Sequence, residues 1–120
     1  MYTVVMAGGS SRRGAAARCA AVLDSGLFRA LCEPVRVDLV RLLIERGRSD
    51  VSALSAELPQ DLSVISRHLA VLHRAGLVRR EKEGRHVFFE LDGPALVERL
   101  DGIAAQLRRA VPFCCPGKAA

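Results

Sequence analysis

A small, mainly α-helical domain carrying one β-hairpin is predicted by three observations. Leu62, Ile65, Leu69 and Leu72 recur at helical spacing, so one face of a helix over about 61–75 is apolar and the other polar and cationic. From Val78 to Leu91 the period changes to alternation on either side of Glu83-Gly84-Arg85, which reads as two strands and a turn. The remaining apolar stripes are helical and are punctuated by Pro34, Pro59 and Gly93-Pro94, with no run that would supply a large sheet. Two helices joined by a tight turn and followed by a basic hairpin make a winged helix-turn-helix.

At 120 residues the chain has the size of one domain, and with half its residues hydrophobic and no Trp the core must be aliphatic. The formal net charge of +5 suits a polyanionic partner. No apolar run approaches the roughly 18 residues needed to cross a bilayer. Arg12 and Arg13 precede no apolar stretch of export-signal length, so a cytoplasmic location and no membrane partner are expected. In that compartment four cysteines are more naturally thiols, ligands or redox groups than a disulfide framework. The expected organisation is a flexible tail over 1–14, the DNA-binding and dimerisation domain over 15–111, and a cysteine-containing tail over 112–120.

In chain order, Ala7-Gly8-Gly9-Ser10-Ser11-Arg12-Arg13-Gly14 looks like a phosphate-cradling loop, which would make the protein a nucleotide-binding enzyme. That loop needs a parallel sheet behind it and none follows, so a flexible tail and a non-enzyme are expected. The first helix is predicted over Ala15–Leu31, with Cys19, Leu23, Leu27 and Leu31 on one stripe. Cys32-Glu33-Pro34 breaks it, and Pro34 opens a second helix that buries Val35, Leu39, Leu42 and Leu43 and ends at Gly47. A short third helix is predicted from Val51 to Leu58, capped by Asp50 and closed by Pro59. The fourth, capped by Asp61 and stopped by Gly76, is the candidate recognition helix.

Its outward residues Ser63, Val64, Ser66, Arg67 and His68 are the candidate readers of base edges and phosphates, with Val64 against a thymine methyl. Arg80, Lys82 and Arg85 of the wing would neutralise phosphates of double-stranded operator DNA. After the wing a last helix is predicted from Gly93-Pro94 to about Ala110, with Leu96, Leu100, Ile103 and Leu107 in one row. That row and the apolar stripe of the first helix exceed what one small domain buries, so a homodimer through the terminal helices is expected. Dimerisation would set two recognition helices about 34–36 Å apart, one turn of DNA.

With these segments in place, the chain resembles the arsenic-repressor (ArsR/SmtB) family of winged helix-turn-helix regulators over roughly 20–111. Leu27-Phe28-Arg29-Ala30-Leu31-Cys32-Glu33-Pro34-Val35-Arg36 is similar to that family's lead into the second helix. Ser66-Arg67-His68-Leu69-Ala70-Val71-Leu72 with Ala75-Gly76-Leu77-Val78 resembles its recognition helix, and Gly84-Arg85-His86-Val87-Phe88-Phe89-Glu90-Leu91 its wing. The resemblance implies a dimeric repressor that leaves its operator when an inducer binds. Where some members carry Cys-x-Cys at the start of the third helix, this chain has Asp50 and Ser52. The last helix has no His for a zinc site of the kind other members use there.

What the sequence offers instead is Cys114-Cys115 between Pro112 and Pro116. Soft thiolates suit As(III) or Sb(III), and three sulfurs fill a pyramidal site. Cys32, or less readily Cys19, would be the third ligand, and two sulfurs would suffice for methylarsenite. No organic cofactor is expected. A thiol redox or persulfide switch linking Cys32 to the pair is the alternative. Cys19 on an apolar stripe is more naturally a small core residue, and His73 and His86 read as solvated.

Overall fold

The computed structural model describes residues 11–118. In chain order it contains α1 (Arg12–Leu23), α2 (Gly26–Leu31), α3 (Pro34–Arg46), β1 (Ser49–Asp50), α4 (Val51–Ser55), α5 (Leu62–Arg74), β2 (Val78–Glu83), β3 (His86–Leu91) and α6 (Gly93–Cys114). The described residues form two compact units: Gly26–Leu96, and the residues up to Ser25 together with those from Val97 onward. The fold is mainly helical with a small sheet, as the apolar periods predict.

The Gly26–Leu96 unit is built around an aliphatic core. Leu27, Leu39, Leu54, Ile65, Leu69, Leu72 and Leu77 are fully buried. Pro34 stands at the start of α3, where its missing N–H costs nothing. Gly47, at φ 75°, ends that helix in a conformation L side chains avoid. Helix α5 starts on Asp61 and stops in a Schellman turn. There the Leu77 N–H donates to Leu72 O at 3.0 Å and the Gly76 N–H donates to His73 O at 2.9 Å. Gly76 takes φ 81° between them. Leu72 and Leu77, which share the longer of these bonds, are both buried completely.

The strands lie in the order β1-β3-β2, all antiparallel. Glu83 pairs with His86, leaving Gly84-Arg85 as a two-residue loop. A positive φ of 61° at Gly84, with none at Arg85, is the pattern of a II′ turn. In the other unit α1 and the later part of α6 run antiparallel. The Cys19 thiol donates to Gln106 O at 3.2 Å, and the Arg12 guanidinium lies 5.8 Å from the centre of the Phe113 ring. No helix among the described residues is long and apolar enough to cross a membrane.

The differences from the sequence expectations are local. The single helix predicted over Ala15–Leu31 is two helices, broken at Asp24-Ser25, and Leu23 is exposed. Helix α1 begins at Arg12 on an N-cap from Ser11, inside the span expected to be a tail. Gly8 and Gly9 of the candidate phosphate loop lie outside the described residues. Helix α4 ends at Ser55, short of Leu58. Leu62 is 49% exposed rather than buried. As the first residue of α5 its side chain leans back past the helix end, away from the core. Helix α6 continues through Pro112 to Cys114, taking in the start of the expected tail. The hairpin gains a third strand in β1.

The Schellman turn gives a direct test. Gly76→Ala forces a Cβ into left-handed backbone, so urea unfolding should show a loss of about 1–2 kcal/mol. An unchanged unfolding midpoint would mean that the turn does not depend on that conformation.

Candidate nucleic-acid interface

The reading helix is held at its N-terminus by Asp61. Its Oδ1 accepts the Val64 N–H at 3.1 Å and the Ser63 hydroxyl at 2.8 Å. These two donors, with the charge of Arg67 nearby, hold the Asp61 carboxyl below the usual carboxylate range. Ser63 is therefore occupied with the cap. Ser66 and Arg67 stand exposed on the outer face of α5, and Val64 is half-buried.

His68 is half-buried too, on the flank of the apolar stripe. Its Nδ1 lies 3.1 Å from Arg36 Nη1. A guanidinium only donates, so Nδ1 accepts and the proton of the neutral ring is assigned to Nε2. Arg36 also donates from Nε to Ala30 O at 2.6 Å and from Nη2 to Arg29 O at 3.3 Å. One α3 side chain thus ties the last carbonyls of α2 to the reading helix. Sequence reasoning named His68 as a reader and missed this anchor, because the contact crosses 32 residues with no local signature.

The wing sorts its charges by strand alternation. Arg80 and Lys82 stand opposite Phe89 and Val87 on one face; Arg79, Glu81 and Glu83 stand opposite Glu90, Phe88 and His86 on the other. That second face is paired. Arg79 reaches Glu90 and Asp92, each at 3.2 Å. Arg48, from the loop before β1, reaches Glu81 at 2.8 Å and Glu83 at 2.6 Å. Its guanidinium carbon sits 4.0 Å from the centre of the Phe88 ring. The hydrogen bond to Glu81, with the Glu83 charge beside it, raises the Arg48 pKa further. Among the described residues Arg80, Lys82 and Arg85 make no ion pair, and all three are exposed. Beside Arg80, a cleft of about 310 Å³ is lined by Ser66, Ala70, His73 and Arg74 of α5, by Val51, and by Val87 and Phe89. Helix and wing therefore present one basic surface.

Residues 33–80 match the family model described as bacterial regulatory protein, arsR family. The HTH-type transcriptional regulator Rv0081 of Mycobacterium tuberculosis (strain ATCC 25618 / H37Rv) is 33% identical over 78 residues, which are 65% of this chain and 68% of that one. The chain belongs to the ArsR family. The arsenical resistance operon repressor of Escherichia coli (strain K12) is 40% identical over 70 residues, 58% of this chain and 60% of its own. A crystal structure of a possible transcriptional regulator for arsenical resistance superposes with a TM-score of 0.55 at 38% identity, covering 66% of this chain and 77% of that one. The protein is thus a transcriptional regulator of the winged helix-turn-helix kind, and ArsR-family regulators of this type bind DNA.

The thiols of this ArsR-family chain fall in three settings. Cys114 closes α6 and is exposed, and its sulfur lies 3.2 Å from that of Cys115. The hydrogen bond between them, and the charge Cys114 would carry, push the Cys115 thiol up. Cys32 is exposed and donates to Arg29 O at 3.1 Å, the carbonyl that Arg36 also uses. Cys19 is buried, as its apolar stripe implies. Among the described residues no three His, Cys, Asp or Glu side chains gather into a metal-holding cluster. His86 is exposed, 3.4 Å from Asp50.

The cap carries a pH prediction. Because the folded Asp61 pKa is depressed, its contribution to stability is complete above the ordinary Asp value of about 3.9 and is lost as pH falls through the lower folded value. The Val64 amide should therefore report an NMR inflection below that ordinary value, and Asp61→Asn, which still caps, should abolish it. An inflection at or above the ordinary value would show that the cap is not formed.

Proposed function

We propose that the protein is a homodimeric repressor that leaves its operator when trivalent arsenic or antimony, inorganic or methylated, binds the thiols of Cys114 and Cys115. The observation that carries this reading is the sulfur pair at 3.2 Å, exposed at the end of α6. One trivalent centre spans two such sulfurs: as each bond to sulfur forms, a bond from the metalloid to hydroxide breaks, and the hydroxide leaves as water with the thiol proton. Methylarsenite, with two open valences, would be satisfied by the pair alone. Inorganic As(III) takes a third sulfur, for which exposed Cys32 is better suited than Cys19, whose thiol is buried on Gln106 O.

On DNA, Ser66 and Arg67 would meet base edges, with Ser63, Val64 and His68 at the margins of that contact. Arg80, Lys82 and Arg85 would neutralise backbone phosphates, giving a steep salt dependence. The dimer reading is supported by Leu23, Val97, Leu100 and Leu107, all exposed in the unit that holds α1 and the later part of α6. A second copy would bury them across a two-fold axis. An inducer that favours the off-DNA form by about 1–3 kcal/mol would lower affinity roughly 5- to 150-fold. The same sulfur contact also supports an oxidative reading, in which peroxide takes two electrons and two protons from the thiols and leaves as water.

Anisotropy titrations on a duplex selected from a random pool, in reducing buffer, separate these readings. Cys114→Ser should bind DNA as the wild type does and lose release by arsenite and methylarsenite. Release of that variant by arsenite at the wild-type concentration would show that the pair is not the sensor. Release of the wild type by peroxide alone would favour the oxidative reading.

A further inference from the structure

Wing carboxylates are a liability at a phosphate-binding surface, and this wing has two near its tip. Arg79 is engaged by Glu90 and Asp92, which leaves Arg80, Lys82 and Arg85 as the cations available to DNA. Glu81 and Glu83 flank Lys82 in sequence, and Glu83 adjoins the Gly84-Arg85 turn. Taken alone, three cations would be opposed by two carboxylates within a few residues, most of the local attraction cancelled. Both carboxylates, however, point to the face where Arg48 lies, and a single nitrogen, Nη2, contacts each of them.

We propose that Arg48 is a positioning residue for DNA binding: by pairing with Glu81 and Glu83 beside the Phe88 ring, it offsets one of their two negative charges and holds both carboxylates on the face away from Arg80 and Lys82. The inference rests on the DNA-binding reading above. Arg48 is suited to this rather than to contacting phosphate itself. Its guanidinium is flanked by two carboxylate oxygens and covered by the Phe88 ring. A flat, stacked fork keeps its donors in one plane, which a lysine at this position would not do. The ion pairs themselves are solvent-exposed, with side-chain exposures of 35% for Arg48, 65% for Glu81 and 57% for Glu83. Exposed pairs contribute little to stability, so the expected effect is on binding and not on melting. At low salt, where surface charges act over tens of ångströms, two released carboxylates would repel the approaching backbone; at high salt they would be screened.

The test compares the full chain with Arg48→Gln, Glu81→Gln/Glu83→Gln and the triple variant. Each is titrated with a mixed-sequence duplex and with the selected operator across a salt series, with circular dichroism and melting to confirm the fold. Arg48→Gln should bind about 3- to 10-fold more weakly at low salt, with the deficit closing as salt rises. The double variant should bind at least as tightly as the wild type, and the triple variant should recover wild-type affinity. A triple variant as weak as Arg48→Gln would overturn the proposal, since Arg48 would then act on DNA directly or through the fold. Arg48→Gln binding like the wild type at low salt would overturn it as well, leaving the DNA-binding reading intact. A wild type that binds neither duplex would sink that reading and this inference together.

Discussion

The constraint on which the reading unit depends is the hydrogen-bonded turn after α5, anchored between two buried leucines. Leu72 and Leu77 are both fully buried, and the backbone of Leu77 is used in both directions: its N–H donates to Leu72 O and its carbonyl accepts the Asp92 N–H at 2.9 Å. Asp92 in turn caps the start of α6, its Oδ1 accepting the Ala95 N–H at 3.2 Å. One residue thus joins the end of the reading helix, the root of the wing and the first turn of the helix that follows. Chain direction reverses there at one glycine, and no flexible linker separates helix from hairpin. That is why the basic residues of α5 and β2 can be treated as one surface.

Strand alternation then performs an electrostatic sorting that composition conceals. The wing's sequence interleaves cations and acids, and by count it is only weakly basic. Because successive side chains go to opposite faces, Arg80 and Lys82 share one face while Glu81 and Glu83 meet Arg48 on the other. A net charge of +5 for the whole chain is a modest field. Separation of paired from unpaired charge concentrates what there is at one place. Arg36 does the corresponding work inside the unit, satisfying two carbonyls at the end of α2 while presenting a donor to His68.

What the sequence made legible were features whose cause is local. Helices α3 and α5 follow from their apolar periods together with Pro34, Gly47, Asp61 and Gly76, each of which acts on its own few residues. The break at Asp24-Ser25 was hidden because Cys19, Leu23, Leu27 and Leu31 keep a four-residue spacing that also fits one unbroken helix. Strand β1 has two residues, too few for any period to show. The last helix, expected to about Ala110, runs on through Pro112 to Cys114, the proline costing it one backbone donor near its end. The contact of Arg36 with His68 crosses 32 residues and those of Arg48 with Glu81 and Glu83 cross 33 and 35, and no spacing rule announces them. The sulfur pair, by contrast, could be read directly, since adjacent residues at a helix end are neighbours in any case.

The central claim, that reading helix and wing are one mechanical unit joined at Leu77, is most directly tested by native-state hydrogen exchange in increasing denaturant. The account predicts that the Leu77 amide and the β2–β3 amides merge into the same opening reaction as those of Ile65 and Leu69. Wing amides that exchange through a separate, cheaper opening while α5 stays protected would contradict it.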